Sequence, residues 1–356
     1  MPIHDLEPLL ADLIVGTAAA DEVQLPVAAQ LQRMAEFGIM RWGIPTEYGG
    51  MDVCAADQND GMRRLASACL TSTFVLSQRN AAVSRIVASS NADAKSAFLP
   101  QLASHAITAT VGISHLTTSR QYLKRPTVQV TQVGDDYVFD GDVPWVTAAG
   151  LCDEILTGGT LPDGRQLLAM IATTQPGVSI AAPPPMLALN ASQTGALSLA
   201  KVRIPGQRII AGPVEGVMKG GAGGTGSVTT SALAVGTAEG VLRNFRTEVD
   251  RRPDLAEILD PLEREAETIA GMIRRLLMSS DTVPPPDGVT SEAIRHQANS
   301  LVLRASQAYL AASKGAGFVR GHPAERAVRE AMFFLVWSCP QPVVNATLRE
   351  FACLAE

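Results

Sequence analysis

Thr127-Val128-Gln129-Val130-Thr131-Gln132-Val133, then Gly134-Asp135-Asp136, then Tyr137-Val138-Phe139-Asp140-Gly141-Asp142 is the stretch on which the fold turns. Apolar and polar residues alternate on both sides of a Gly-Asp-Asp turn, the pattern of an antiparallel hairpin with one face toward a core. The same texture extends from about Thr108 to Pro213. Strand candidates follow at Glu154 to Gly158, Leu167 to Thr173 and Ala196 to Ile204, with the loop Ala182-Pro183-Pro184-Pro185 between them.

On either side of this β region the periodicity is helical. Upstream, Leu9, Leu10, Leu13 and Ile14 recur at one-turn spacing, as do Val27, Leu31 and Met34. Turn signals interrupt at Gly43-Ile44-Pro45 and Tyr48-Gly49-Gly50, and helix resumes from about Ala56 to Leu102. Downstream, helices are predicted near 227–247, 255–280, 290–314 and 323–338, with apolar stripes at Leu262, Ile269, Ile273, Leu276 and at Ile294, Leu301, Ala305, Ala308. Pro284-Pro285-Pro286 links two of them and Pro323 suits a first helical turn. The expectation is an α+β chain: an N-terminal helical domain over 1–107, a middle antiparallel β domain over 108–213, and a C-terminal four-helix bundle over 214–356.

Composition narrows the function. With 356 residues and 46% hydrophobic content the chain can bury a large core, so disorder is excluded as its main state. Twenty-nine basic against 35 acidic residues give a net charge of −6, which offers no footprint for a nucleic acid backbone. The five cysteines, Cys54, Cys69, Cys152, Cys339 and Cys353, are odd in number and form no CxxC pair, arguing against a disulfide framework and a zinc site and for a reducing, cytoplasmic setting. The opening residues carry Asp and Glu among their apolar positions, unlike a signal peptide, and no uncharged run of about 18 residues suggests a membrane span.

Gly221-Ala222-Gly223-Gly224-Thr225-Gly226 matches GxGxxG, but no convincing strand precedes it and no β/α alternation follows, so a flexible connection is the expected reading. His4, His105, His115, His296 and His322 are scattered without HExxH, no serine sits in GxSxG, and each histidine is expected at the surface or at a helix cap; no metal site is expected.

Four phrases in order carry a resemblance. They are Gly38 to Gly50 with Ile44-Pro45-Thr46-Glu47-Tyr48-Gly49-Gly50; Gly134-Asp135-Asp136-Tyr137 leading to Pro144-Trp145-Val146-Thr147-Ala148-Ala149-Gly150; Met186 to Thr194 with Val202-Arg203-Ile204-Pro205; and Gly315-Ala316-Gly317-Phe318 with Pro323-Ala324-Glu325-Arg326 and Arg329-Glu330-Ala331. Together they resemble the acyl-CoA dehydrogenase family across nearly the whole chain. The resemblance implies a helical, β and helical three-part fold. It also implies FAD between the last two parts, completed by a neighbouring subunit in a homo-oligomer or in a heteromer with a related chain. The substrate would be acyl-CoA or a related small molecule, dehydrogenated by a carboxylate that removes the α proton. Trp145-Val146-Thr147 would flank the flavin ring, and Ser114 keeps a hydroxyl of the family's Thr-Glu-Pro phrase. Ser119 stands near its CoA-contacting serine, Arg251 would pair with the FAD pyrophosphate, and Gly315 belongs to the Gln-x-x-Gly-Gly element.

The departures are as informative. Leu335-Val336-Trp337-Ser338-Cys339-Pro340 puts Ser338 where the family glutamate stands, and a hydroxyl with no adjacent base is no general base near neutral pH. The alternative base position falls on Thr229; Glu239, farther along the same predicted helix, is expected to be solvated or to serve as an N-terminal helix charge. Asp254 stands where an aromatic residue is expected, and Ala311 and Lys314 replace the Gln and first Gly. Two readings stay open: a flavoprotein, acting as an acyl-CoA dehydrogenase-like oxidoreductase or in the monooxygenase branch of the fold, and a non-catalytic subunit of a heteromeric dehydrogenase.

Overall fold

Five helices precede the first strand in the computed structural model, which describes residues 5–23, 26–117, 125–219, 228–279, 289–338 and 341–354. They are α1 (Glu7–Val23), α2 (Ala28–Glu36), α3 (Ala55–Ala68), α4 (Leu70–Ala88) and α5 (Ala92–Ala103). The Asn91 side chain accepts from the Ala94 amide and so starts α5. The middle region holds β1 (Ala109–Gly112), the four-residue α6 (Ser114–Thr117), β2 (Val128–Val133), β3 (Asp136–Val146), β4 (Glu154–Thr160), β5 (Gln166–Ala172), β6 (Val178–Ile180), β7 (Gly195–Ile204) and β8 (Ile209–Val214). The C-terminal helices are α7 (Val228–Val249), α8 (Ala256–Met278), α9 (Ser291–Ser313), α10 (Pro323–Ala331) and α11 (Gln341–Phe351).

The expected hairpin is β2 and β3, antiparallel with Val130 opposite Phe139, and Val128, Val130 and Phe139 are buried. The sheet runs β6-β7-β3-β2-β4-β5-β8, and β1 pairs with β4. It is mixed: β1 lies parallel to β4, and β2 meets β4 in parallel at Gln129 and Thr160. Neither parallel pairing leaves a local signature, because both partners are far apart in sequence.

Burial explains why some strands alternate and others do not. On β5, Leu167, Ala169 and Ile171 enter a core inside the sheet region, while Leu168 and Met170 face α4 and α5 with Phe98, Leu99 and Val83. A strand covered on both faces reads as a continuous apolar run. The third core joins the two ends of the chain, packing Leu9 and Leu13 of α1, Met62 and Leu65 of α3 and Leu76 of α4 with Leu233 and Val241 of α7 and Leu301 of α9. Here α3 and α7 lie backbone to backbone: a Cβ on Gly236 would come within 2.0 Å of the Arg63 carbonyl oxygen, and one on Gly240 within 2.3 Å of that of Ser67. Only glycine permits that approach.

Arg329 of α10 ties the three regions together. Its guanidinium donates to Asp21 of α1 at 2.7 Å, to Glu325 of its own helix at 2.5 Å and to the Leu187 carbonyl, in the loop before β7, at 3.4 Å. No helix among the described residues is long and apolar enough to cross a membrane.

Candidate functional site

The ends of β1 and β3 meet in a corner lined with hydroxyls. Thr147, just past β3, is buried, and its carbonyl accepts from Thr110 Oγ1 on β1 at 2.7 Å. Its own Oγ1 accepts from Thr194 Oγ1 at 3.4 Å, and Thr194 Oγ1 lies 2.8 Å from Ser192 Oγ. Ser192 and Thr194 arrive on the turn into β7, where the Ser192 carbonyl accepts from the Ala148 amide at 2.9 Å. Ser114, two residues beyond β1, opens α6, which packs on β3; its Oγ is buried without a hydrogen-bond partner among the described residues. Val146 is fully buried, and Trp145, pointing the other way along the strand, is half-exposed. Ser114, Trp145, Val146 and Thr147, expected together from the sequence, therefore share one corner.

Arg251 and Gly315 come together elsewhere, at one end of the helical layer. Arg252 donates to the Ala312 carbonyl, holding the turn after α7 against the end of α9, where Gly315 follows in a 3-10 turn with open space where a Cβ would stand. Arg251 is exposed and bridged to Glu248 at 3.3 Å. Ser119 and the Gly221 to Gly226 motif lie outside the described residues.

Ser338 is half-buried, with a left-handed backbone at φ 49°. The preceding Trp337 stacks on Phe333 with centroids 5.1 Å apart and meets Phe74 of α4 edge-on at 4.9 Å. Arg295, fully buried on α9, donates to the Trp337 carbonyl at 2.8 Å, and its guanidinium lies over the indole. The segment that carries the family's glutamate is thus packed into an aromatic cluster. Thr229, the alternative base position, sits half-buried in the first turn of α7. Glu239, expected to be solvated, is instead largely covered and paired with Arg63 of α3; burial lifts its pKa and Arg63 opposes that lift.

A further carboxylate escaped the sequence reading. Glu330 on α10 is buried, 4.0 Å from Arg326 Nε, and burial pushes its pKa up to about 7. It borders a cavity of about 10 Å³, room for one water, shared with Thr17 and Asp21 of α1, Gln30 of α2, Cys69 and Thr71 at the start of α4, and Asn190. An Arg-Glu-Ala phrase on an amphipathic helix carries no sign of which charge will be buried. His115 also departs from expectation. It is buried, its Nε2 lies 2.9 Å from the Gly158 carbonyl oxygen, and burial holds its pKa down, so the neutral ring donates there. His322 does cap a helix: its Nδ1 accepts from the Ala324 amide at 3.1 Å, with Pro323 in the first turn. No group of His, Cys, Asp or Glu among the described residues suits a metal ion.

The β1–β3 corner carries groups of the kind the ring end of a flavin would use. Among the described residues it offers a buried hydroxyl with no partner at Ser114, a second at Thr147 with its own hydrogen uncommitted, and an indole at its rim. Flavin recognition needs such directed donors beside an apolar wall.

Comparison with known proteins agrees with this architecture. The family model for the acyl-CoA dehydrogenase N-terminal domain matches residues 11–106. The probable acyl-CoA dehydrogenase YngJ of Bacillus subtilis is 22% identical over 321 residues, covering 84% of this chain and 83% of that protein. The structure of a glutaryl-coenzyme A dehydrogenase in complex with glutaryl-CoA superposes with a TM-score of 0.81 at 17% identity, covering 98% of this chain and 95% of that one. FkbI, of methoxymalonyl extender unit biosynthesis, superposes with a TM-score of 0.74 at 21% identity, over 98% of this chain and 99% of that one. Residues 11–106 match the N-terminal domain model of the acyl-CoA dehydrogenases, relatives of that family align along most of the chain at 22% identity, and the chain has the acyl-CoA dehydrogenase fold throughout.

Proposed function

We propose that the protein is a FAD-dependent oxidoreductase acting on an acyl thioester or a related substrate. The observation that carries this reading is the β1–β3 corner, where Thr147 is buried against Thr110, Trp145 stands half-exposed, and Ser114 Oγ, on the α6 that packs on β3, is buried without a partner among the described residues. Members of the family are FAD-dependent oxidoreductases that bind acyl-CoA and form oligomers, and some are monooxygenase-like. When bound, FAD supplies the electron acceptor. This chain's part is to present Ser114 and Thr147 to the ring, to cover one of its faces with Trp145 and Val146, and to exclude water from the corner. Arg251 and Gly315 would serve the pyrophosphate end, where a partner subunit completes the site in a dimer or tetramer; Ser119 would serve the substrate's CoA portion.

Proton abstraction is where this chain parts from the dehydrogenase pattern. Ser338 and Thr229 carry no carboxylate, while Glu239 and Glu330 are each set against an arginine. A reaction that needs no base at those places, such as oxygen activation by reduced flavin in the monooxygenase branch, suits these residues. The pairing of Arg251 with Glu248 favours a second reading, a non-catalytic subunit of a heteromeric dehydrogenase, because it occupies the cation a pyrophosphate would need. Absorbance of the purified protein tests the choice. Stoichiometric flavin, carried through purification or taken up on adding FAD, supports the enzyme; a protein that stays colourless with FAD refutes it as a stand-alone flavoprotein, and co-purification with a second related chain then identifies the subunit.

A further inference from the structure

We infer that Ser192 and Thr194 are positioning residues that fix the Thr147 hydroxyl as a hydrogen-bond donor toward the isoalloxazine ring; this rests on the flavin reading above. A hydroxyl has one hydrogen and two lone pairs. Either hydroxyl could donate in the 2.8 Å contact between Ser192 and Thr194; with Thr194 donating to Thr147 Oγ1 at 3.4 Å, the inferred donor there is Ser192. The order Ser192 to Thr194 to Thr147 leaves the Thr147 hydrogen with no acceptor among the described residues. Successive donation of this kind polarises each hydroxyl in turn.

The relay is held rigidly. Ser192 is fully buried, Thr194 and Thr147 nearly so, and the backbone is pinned on both sides by the Ala148 amide on the Ser192 carbonyl and by Thr110 on the Thr147 carbonyl. A fixed donor in a water-poor corner recognises an acceptor, here a ring nitrogen or carbonyl of the flavin, and strengthens as the ring gains electron density on reduction. Ser114 Oγ, outside the relay, has no hydrogen-bond partner among the described residues to set its direction.

The test uses the full-length protein freed of flavin and titrated with FAD, followed by quenching of flavin fluorescence and by the visible spectrum and midpoint potential of the complex. Thr194→Val keeps the side chain's shape and removes its hydroxyl. It is expected to weaken FAD binding roughly five- to tenfold, the worth of one buried hydrogen bond, to shift the bound flavin's absorption band and to lower its potential. Thr194→Ser is expected to restore all three, and Ser192→Ala, which removes only the head of the relay, to move them in the same direction as Thr194→Val by a smaller amount. Wild-type affinity, spectrum and potential in Thr194→Val, or in Ser192→Ala should the valine variant not fold, would overturn the relay while leaving the flavin reading intact. Equal losses in Thr194→Val and Thr194→Ser would reduce the position to packing and likewise overturn it. A wild-type protein that takes up no FAD overturns both.

Discussion

Replacing Glu330 by Gln should stabilise the protein above neutral pH and leave it unchanged in acid. The carboxyl is buried on α10, and its pKa rises from an ordinary value near 4.5 to about 7. The groups around it are Asp21 from α1, Cys69 from the start of α4, and Arg326, Arg329 and Glu325 from its own helix. Arg326 is the nearest cation, at 4.0 Å, and Arg329 is already engaged by Asp21 and Glu325. The sign follows from proton counting. Between about pH 4.5 and 7 the unfolded chain has released this proton and the folded chain still holds it, so stability falls as pH rises through that window and levels off above it. A shift of about 2.5 units at roughly 1.4 kcal/mol each gives about 3 kcal/mol. For a chain of this length that is about 4 °C in melting temperature. Glutamine mimics the protonated acid at every pH, so thermal melts of the two proteins should coincide near pH 4.5 and separate by about 4 °C at pH 8. Curves that run parallel across the window, or a variant less stable than wild type at pH 8, would refute the claim that this carboxyl is held neutral by burial.

Other outcomes follow from the same geometry. Ser338→Glu in the FAD-loaded protein should raise acyl-CoA dehydrogenation by roughly 10²-fold, the usual worth of a positioned base, measured with an artificial electron acceptor; no gain in a folded, loaded variant would mean the acyl chain lies elsewhere. Phe74→Ala should cost about 3–5 kcal/mol in denaturant unfolding, because it removes the ring that Phe333 and Trp337 meet edge-on. Arg79→Met should cost about 2 kcal/mol, since this buried guanidinium donates to the carbonyls of Met40 at 2.5 Å and Leu102 at 2.8 Å; both bonds would be lost, and the Leu102 carbonyl would keep the His105 amide at 3.3 Å. Gly236→Ala should destabilise strongly or abolish soluble expression, because its Cβ would collide with the Arg63 carbonyl.

What could be read from the sequence was whatever physics writes locally. Alternation around Gly134-Asp135-Asp136 gave the β2–β3 hairpin, the stripe of Ile294, Leu301 and Ala305 gave the buried face of α9, and Pro323 marked the first turn of α10. Pairings between distant segments left no such trace, which is why β1 beside β4 and the short β6 went unread. The grouping of Ser114, Trp145, Val146 and Thr147 rested on resemblance alone; Ser192 and Thr194 reach Thr147 through a turn closing onto β3, a tertiary event. Glu239 and His115 were misjudged for one reason. A polar residue on an amphipathic segment looks solvated until its partner, Arg63 for one and the Gly158 carbonyl for the other, arrives from elsewhere in the chain.

The glycine contact between α3 and α7 joins points roughly 170 residues apart, with the whole sheet strung between them. Closing so long a loop is slow, and nothing rewards it until both ends are present. During synthesis the first helices must therefore wait, their apolar faces uncovered, while the strands and then α7 emerge from the ribosome. A chain stopped before α7 would keep that face bare, the stage at which exposed apolar surface most invites aggregation.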